Sequence, residues 1–467
     1  MELIQHLGEM FLQVGERVLD ILEGNWDYAS FQLDLERLLN DFGKKVCCEV
    51  MESADAWLRQ HPKEREGWVV ERKNELKGVL TPFGHMSYQR TYFRSKKTGG
   101  YAHLVDLAAG LEPHGKMDLT VKAKLADTAV EMSYRKTGKD VWSSGSPECC
   151  VSGQTVMNVL RRTPLHTTKP GGEGPKTKVR VLHIQADEDH VHKQTGGTAL
   201  PKLVYTTSGY GIFSTKRKHL SNVHYIAGLY RDNEMLYQEV YDSIDNDYDI
   251  DHLEKLYVSG DGAPWIRGLA KYLGAVFLLD KYHINTYIKE GLAFCPELRG
   301  KLWKAVNGFD LSAAKKVFKE AKRAARTDAE LERVARCRRY LVGNWDGILA
   351  WKEEIPFVIG CSAEGHVSHV LSARLSSRPM AWGEPGVDKM AKLRAMKANG
   401  LSVKEYVLQL AKPDLKLAKA VQHAIPAQRE KLQKVSGEVF DNMPALRGSA
   451  WSLRKALRSI STVITDI

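Results

Sequence analysis

The sequence predicts an α/β fold on three observations. After residue 178 the chain alternates short apolar runs with amphipathic stretches in the order β-β-β-α-β-α-β. A basic helical block then separates the fifth strand from another apolar run, IPFVIG. The signatures of nucleotide-binding α/β folds are missing: no G-x-G-x-x-G follows the first strand, and no G-x-x-x-x-G-K-[ST] occurs. Three strands in series followed by βα units match a ribonuclease-H-like mixed sheet, not a doubly wound dinucleotide fold. The expected architecture is therefore such a sheet with a helical insertion, preceded and followed by mainly helical regions.

The elements follow in order. Residues 3–22 place Leu3, Leu7, Met10, Val14, Val18 and Ile21 at helical spacing. Phe31–Leu58 repeats the pattern with Leu35, Leu38, Leu39, Phe42, Val46 and Val50, and Pro62 ends it. Residues 1–78 thus read as an N-terminal helical region, serving as core or oligomer seam. From Val79 to Arg94 the period changes to two: Met86, Tyr88, Arg90 and Tyr92 alternate after a turn at Pro82–Gly84. Lys116–Arg162 returns to helix. MSYRKTGKDVW, a loop and VSGQTVMNVLRR have helix-turn-helix form, with Ser152 as N-cap and Arg161 and Arg162 closing the second helix. Residues 79–162 are expected to bind DNA through this pair.

TPLHTTKPGGEGPKTK (163–178) has linker composition. The sheet domain is assigned to 179–283 and 355–386, with VRVLHIQAD, KLVYTT, NVHYIAGLY, KLYVS and AVFLL as strands and Asn233–Asn246 and Pro264–Leu273 as helices. The insertion, 284–354, carries an apolar stripe of Ala314, Val317, Phe318, Ala321 and Ala325 with lysines and arginines around it. Residues 387–467 read as a basic C-terminal helical region.

Charge is unevenly distributed. The 467-residue chain carries +11, but Arg299–Arg339 alone holds 13 basic against 5 acidic residues, and Lys389–Lys434 holds 11 against 3. Arg231–Glu254 is the reverse, with 9 acids and 1 base. Basic blocks of this kind favour a polyanionic partner, although any one of them also suits a solvated helix face. The seven cysteines include two vicinal pairs and no C-x-x-C, so neither a disulfide framework nor a zinc ribbon is expected. No apolar run reaches the roughly 18 residues that span a bilayer, and the N-terminus lacks a basic, apolar, small-residue leader pattern. The expectation is a protein of the bacterial cytoplasm, associated with the nucleoid and not with membrane.

Three acids stand out by position. Asp187 ends the first strand, Asp261 follows the fourth in a Gly-Asp-Gly turn, and Glu364 begins the helix SAEGHVSHVLSARL after the insertion. Each alone has an ordinary reading: a strand-end acid, an Asp-Gly turn, an acid at a helix N-terminus. In a ribonuclease-H-like sheet the first and fourth strands are neighbours, so the three carboxylates converge. Converging carboxylates need a divalent cation, and Mg²⁺ (or Mn²⁺) prefers such oxygen ligands. Two ions can serve an in-line displacement at phosphorus. Asp189 lies on the same strand face as Asp187, so the choice of first ligand stays open between them.

At this point the chain resembles DDE transposases of the bacterial ISLre-type insertion-sequence family, related to mutator-like transposases. The matching pieces are the T-x-FG turn with Tyr88–Arg94, QADEDHVH, VSGDGAPWI, the DKYHI stretch and CSAEGHVSHVLSARLSSRPMAW. The resemblance implies a catalytic triad at Asp187, Asp261 and Glu364 holding two metal ions, with a helical insertion before the Glu that the 103-residue gap accommodates. It also implies cleavage and strand transfer of an insertion sequence, with the element's terminal inverted repeats and target DNA as partners and a homodimer or higher homo-oligomer as the working form. Mutator-like relatives often carry Cys-x-x-His after the second Asp. Here Asp280-Lys281-Tyr282-His283 stands there, which leaves His283, with Asp189, His366 and His369, to order the site or the DNA. Phosphate contacts are assigned to Arg161, Arg162, Lys315, Lys319, Lys322, Arg323, Arg374 and Arg378.

Two other classes of function fit parts of the same pattern. His190, His192, His366 and His369 could serve a zinc-dependent hydrolase. A non-enzymatic DNA-binding regulator would use only the helical pair and the basic helices, leaving the sheet domain without a purpose.

Overall fold

The computed structural model describes residues 2–23, 27–140, 150–165, 175–214, 217–354, 357–378, 380–410 and 413–422. The chain divides into two compact units: residues up to Val159 together with those from Val403 onward, and Leu160–Ser402. Among the described residues no helix is long and apolar enough to cross a membrane.

The first unit opens with α1 (Glu2–Leu22) and α2 (Tyr28–Gln60), the latter stopping just before Pro62, which begins a 3-10 turn. A long hairpin follows, β1 (Trp68–Thr81) and β2 (Gly84–Ser95), edged by β3 (Tyr101–Ala102). The hairpin starts at Trp68, eleven residues earlier than the periodicity indicated, because Trp68–Lys77 is largely exposed and charged. The expected alternation also fails in its second half. Met86 and Tyr88 face inward, but beyond Arg90 the inward face passes to Thr91 and Phe93. Pairing slips opposite this point, between Val70 and Arg72 and again between Arg72 and Glu75. Thr91 gives its N–H and its hydroxyl to the buried Asp55 of α2 (2.8 and 2.6 Å).

Helices α3 (Leu104–Ala108), α4 (Leu119–Ala129), α5 (Tyr134–Asp140) and α6 (Gly153–Arg162) complete this part of the chain. Ser152 caps α6 as expected, its Oγ accepting from Thr155 N at 3.1 Å. Most of the loop of the expected helix-turn-helix (143–150) lies outside the described residues, which stop at 140 and resume at 150, as does most of the linker (166–174). The segments Val403–Gln409 and Leu415–Gln422 belong to this unit: Leu417 and Ala420 share a core with Leu58, Phe93 and Leu104. The expected C-terminal region is therefore not one body. Its first helix belongs to the second unit, and 423–467 lie outside the described residues.

The second unit is a mixed α/β structure. Its strands are β4 (Val181–Glu188), β5 (Val191–His192), β6 (Thr198–Ala199), β7 (Lys202–Thr207), β8 (Tyr210–Ser214), β9 (Arg217–Leu220), β10 (His224–Gly228), β11 (Lys255–Gly260) and β12 (Val276–Leu279). Five of them form one sheet in the order β10-β7-β4-β11-β12. β4, β11 and β12 run parallel, whereas β7 is antiparallel to both β4 and β10. β5–β6 and β8–β9 are separate short hairpins; neither is among the strands expected from the sequence.

The two faces of β4 differ. Leu182, Ile184 and Ala186 pack with Val204, Val258 and Ile226 against α7 (Asn233–Asp247) and α8 (Pro264–Tyr272). His183, Gln185 and Asp187 occupy the alternate positions, and all three are buried. Polar side chains at buried positions cost free energy unless they are bonded or used, so this face marks the site.

Five helices separate β12 from the segment carrying Glu364: α9 (Lys281–Gly291), α10 (Pro296–Asn307), α11 (Leu311–Ala324), α12 (Asp328–Gly343) and α13 (Trp345–Glu353). They share a core of Ile284, Leu302, Phe318, Leu341 and Trp345 that continues onto Leu279 of the sheet. After them come α14 (Ala363–Val367), a π-helical stretch Ser368–Ser372, α15 (Ala373–Leu375) and α16 (Glu384–Ala398). The single helix expected over 362–375 is thus interrupted by a π segment, a feature frequent at functional sites.

Candidate metal centre

Asp187 and Asp261 meet because β4 and β11 are paired neighbours, Ser259 lying opposite Gln185. The turn after β11 is built for close approach. A Cβ on Gly260 would lie 2.7 Å from the Ala186 carbonyl oxygen. Gly262 has φ +88° and leaves room for the Asn344 side chain, which a Cβ there would meet at 2.7 Å. Asp261 closes the turn by accepting from Ala263 N (2.8 Å), and Pro264 then starts α8.

His283 joins the two acids. One ligand atom from each of Asp187, Asp261 and His283 lies within 4.8 Å of the others. Asp280, 3% exposed, caps α9 through Tyr282 N (3.0 Å) and holds His283 Nδ1 at 2.9 Å. With Nδ1 so engaged, Nε2 is the nitrogen left to face the acids, the usual arrangement of an oriented ligand imidazole.

The electrostatics are those of crowded negative charge. Burial pushes the Asp187 carboxyl up to about 7, and the charges of Asp261 and Glu364 add to the rise. Burial works to lower the His283 imidazole, but Asp280, Asp187 and Asp261 outweigh it and raise it. Glu364, at the start of α14, is exposed and acts on Asp187 through its charge. It does not belong to the tight three-atom cluster, in which His283 takes the third place.

The other predicted residues are dispersed. Asp189 is buried and accepts from Ser376 Oγ, which lies 2.8 and 2.9 Å from its two oxygens, and from His190 N (2.9 Å); of the two candidate first ligands it is Asp187 that lies with Asp261. His366 Nδ1 is 2.7 Å from the Tyr225 hydroxyl, and His369 is exposed. His190 and His192 are also exposed. Among the described residues the metal-ligand grouping is Asp187, Asp261 and His283, and it includes none of these four histidines.

Lys315, Lys319, Lys322 and Arg323 line exposed positions of α11, and Arg161, Arg162 and Arg378 are exposed too. Arg374 departs from expectation. It is 4% exposed, with its guanidinium over the Trp382 ring at 4.9 Å, and so has a packing role instead of a surface for phosphate.

A protein-family model described as uncharacterised protein family UPF0236 matches residues 27–410. The chain belongs to the UPF0236 family. A UPF0236 protein of Caldanaerobacter subterraneus subsp. tengcongensis is 37% identical over 387 residues, covering 83% of this chain and 81% of its own length. Another from the same organism is 38% identical over the same span. A UPF0236 protein of Streptococcus gallolyticus, named for its place in the vanSb 3′ region, is 26% identical over 72% of this chain and 75% of its own. Among solved structures, a simian T-cell lymphotropic virus intasome with a PP2A regulatory subunit aligns at 13% identity over 47% of this chain and 67% of its own, with a TM-score of 0.14. A score that low carries no argument.

Sequence reasoning singled out Asp187 and Asp261 as ligands with Glu364, and His283 only as a residue ordering the site, and gave no role to Asp280, Gln185, Tyr205 or Tyr225. Gln185 had a legible signal, as a polar residue in phase with Asp187 inside an otherwise apolar strand.

Proposed function

We propose that this UPF0236 protein is a DDE-type transposase that cleaves the DNA ends of an insertion sequence and joins them to target DNA, using divalent metal. The observation that carries the reading is the convergence of Asp187, Asp261 and His283 at the ends of adjacent parallel strands, with the Glu364 charge felt by Asp187. The sheet order, with the second strand antiparallel, agrees with a ribonuclease-H-like topology. The basic α11 supplies a surface for a phosphate backbone. The name of one relative spans eleven loci of a single genome, a distribution suited to a mobile element.

The residues fit a metal. An acid raised to about 7 by burial and like charge is a ligand whose ionised form a divalent cation would restore. Asp187 and Asp261 would hold Mg²⁺ or Mn²⁺, with Glu364 completing the site for a second ion and His283 adjoining. When bound, the metal supplies a lowered pKa for the attacking oxygen and neutralisation of the leaving one. The protein's own part is positional. Gly260 and Gly262 set Asp261 against β4, and Asp280 fixes the His283 ring. The charges of Asp280, Asp187 and Asp261 raise that ring's pKa and so favour its protonated form while no cation is bound. On this reading the partners are the element's terminal repeats and target DNA, the protein acts as a homodimer or larger homo-oligomer, and the bacterial nucleoid is its location.

The test is incubation with DNA carrying the element's own ends and Mg²⁺ or Mn²⁺. Wild type should nick at the element end and transfer the freed strand, whereas Asp261→Asn should bind DNA equally and cleave at least a hundredfold more slowly. Equal cleavage by both would refute the assignment. Cleavage without joining would make the protein a nuclease of the same site.

A further inference from the structure

Glu364 is the one acid of the proposed site that no strand end delivers. It sits on α14, a helix of five residues that runs directly into a π segment. Something other than helix length must fix where its carboxylate lies.

A row of side chains across the sheet meets that need. Gln185 of β4 pairs with Tyr205 of β7, which pairs with Tyr225 of β10. Gln185 and Tyr205 are fully buried. The Tyr205 hydroxyl donates to Gln185 Oε1. Gln185 Oε1 also accepts from Ser362 N at 2.7 Å, while its Nε2 donates to Gly360 O at 3.0 Å. The Ser362 hydroxyl lies 2.8 Å from that of Tyr205. Ser362 is the N-cap residue of α14, yet its side chain makes no capping bond to the helix. A serine in that position ordinarily caps; here it is committed to the sheet instead.

The far side of Glu364 is held in the same way. The His366 ring stacks on Tyr205 with centroids 4.2 Å apart, and its Nδ1 is 2.7 Å from the Tyr225 hydroxyl. The residues two before and two after Glu364 are thus both anchored to one row, and that row is two residues from Asp187 on the same strand face.

We propose that Gln185, Tyr205 and Tyr225 are positioning residues that clamp α14 through Ser362 and His366 and thereby set the Glu364 carboxylate against Asp187. The inference rests on the reading of Glu364 as a member of the metal site. The clamp itself touches neither metal nor substrate. It ties the third acid to the strand that carries the first, so the two move as one body.

The test compares wild type with the Tyr205→Phe/Tyr225→Phe double variant, which keeps both rings and loses both hydroxyls. Hydrogen exchange read by mass spectrometry should accelerate about tenfold or more in peptides covering 360–370 while β4 stays protected. Mn²⁺ titration should show affinity falling about tenfold, toward that of Glu364→Gln, and adding the double change to Glu364→Gln should weaken it no further. His366→Asn, which keeps an acceptor near the Nδ1 position, should retain affinity that His366→Leu loses. This half-buried position gives the same comparison if the double variant fails to fold. Unchanged exchange over 360–370 together with wild-type Mn²⁺ affinity would overturn the clamp. If wild type itself binds no Mn²⁺, the metal reading of the site falls, and the exchange measurement still decides whether the row holds α14.

Discussion

Asp261 and Asp187 leave the carboxyl ends of two adjacent parallel strands, and their carboxylates come within ligand-sharing distance of each other and of His283. Two glycines make this possible, one by close approach to the Ala186 carbonyl and one by its positive φ. The energetic consequence is an acid that resists ionisation in the metal-free protein, which can be measured without knowing the substrate.

In divalent-free buffer the Asp187 carboxyl should make stability fall as pH rises. Its folded value, about 7, lies above the ordinary 3.8. The folded state therefore holds a proton that the unfolded state has released between those values, and the stabilisation present below pH 4 is lost by pH 7. Asp187→Asn should be more stable than wild type at pH 8, by on the order of 2–4 kcal/mol, with the gap closing toward pH 4. Thermal melts across this range check it, and parallel pH curves would contradict it.

Divalent metal should reverse that penalty. Mg²⁺ or Mn²⁺ at about a hundred times its dissociation constant should stabilise the protein by about 2.7 kcal/mol. The rise in melting temperature should be larger at pH 8 than at pH 6, because the ligand form of Asp187 is its anion. Asp261→Asn should abolish the rise. A metal shift that survives this change would place the ion elsewhere.

DNA binding through α11 should be electrostatic. Lys315, Lys319 and Lys322 are exposed on one helix. Replacing all three with Ala should weaken binding to any duplex and reduce the slope of log K against log salt by roughly 2–3. The buried Arg374 should act differently: Arg374→Ala should lower the melting temperature and leave the salt slope unchanged. An unaltered slope in the triple variant would move the phosphate contacts off α11.

In the first unit, Asp106 is 2% exposed and accepts from Lys77 Nζ (2.8 Å), the Tyr88 hydroxyl (2.7 Å) and Arg90. Asp106→Ala would strand two cations in the interior and should cost about 3–5 kcal/mol. Chemical denaturation of the variant tests this, and a loss under 1 kcal/mol would show that water reaches the cluster.

By itself the sequence determined the strand inventory of the sheet, the position of the helical insertion and the identity of the two strand-end acids. Those features rest on local signals: apolar runs of strand length, charge blocks, an acid ending an apolar run at Asp187 and an acid between two glycines at Asp261. It also placed the α6 cap, because Ser152 stands directly before the helix it closes. Tertiary structure decided the rest. Whether Asp187 or Asp189 faces Asp261 depends on which partner each carboxylate finds, and Asp189 finds Ser376, 187 residues away. That His283 is nearer the acids than Glu364 depends on how Asp280 caps α9. The seating of α14 on Gln185, Tyr205 and Tyr225, through Ser362 and His366, depends on a cross-strand row assembled from three separate strands. The shift of the inward face at Thr91 likewise follows from a slip in the partner strand. Local pattern carries information about what a residue's neighbours in the chain will form; contacts between distant residues are set by register and packing, which no local pattern encodes.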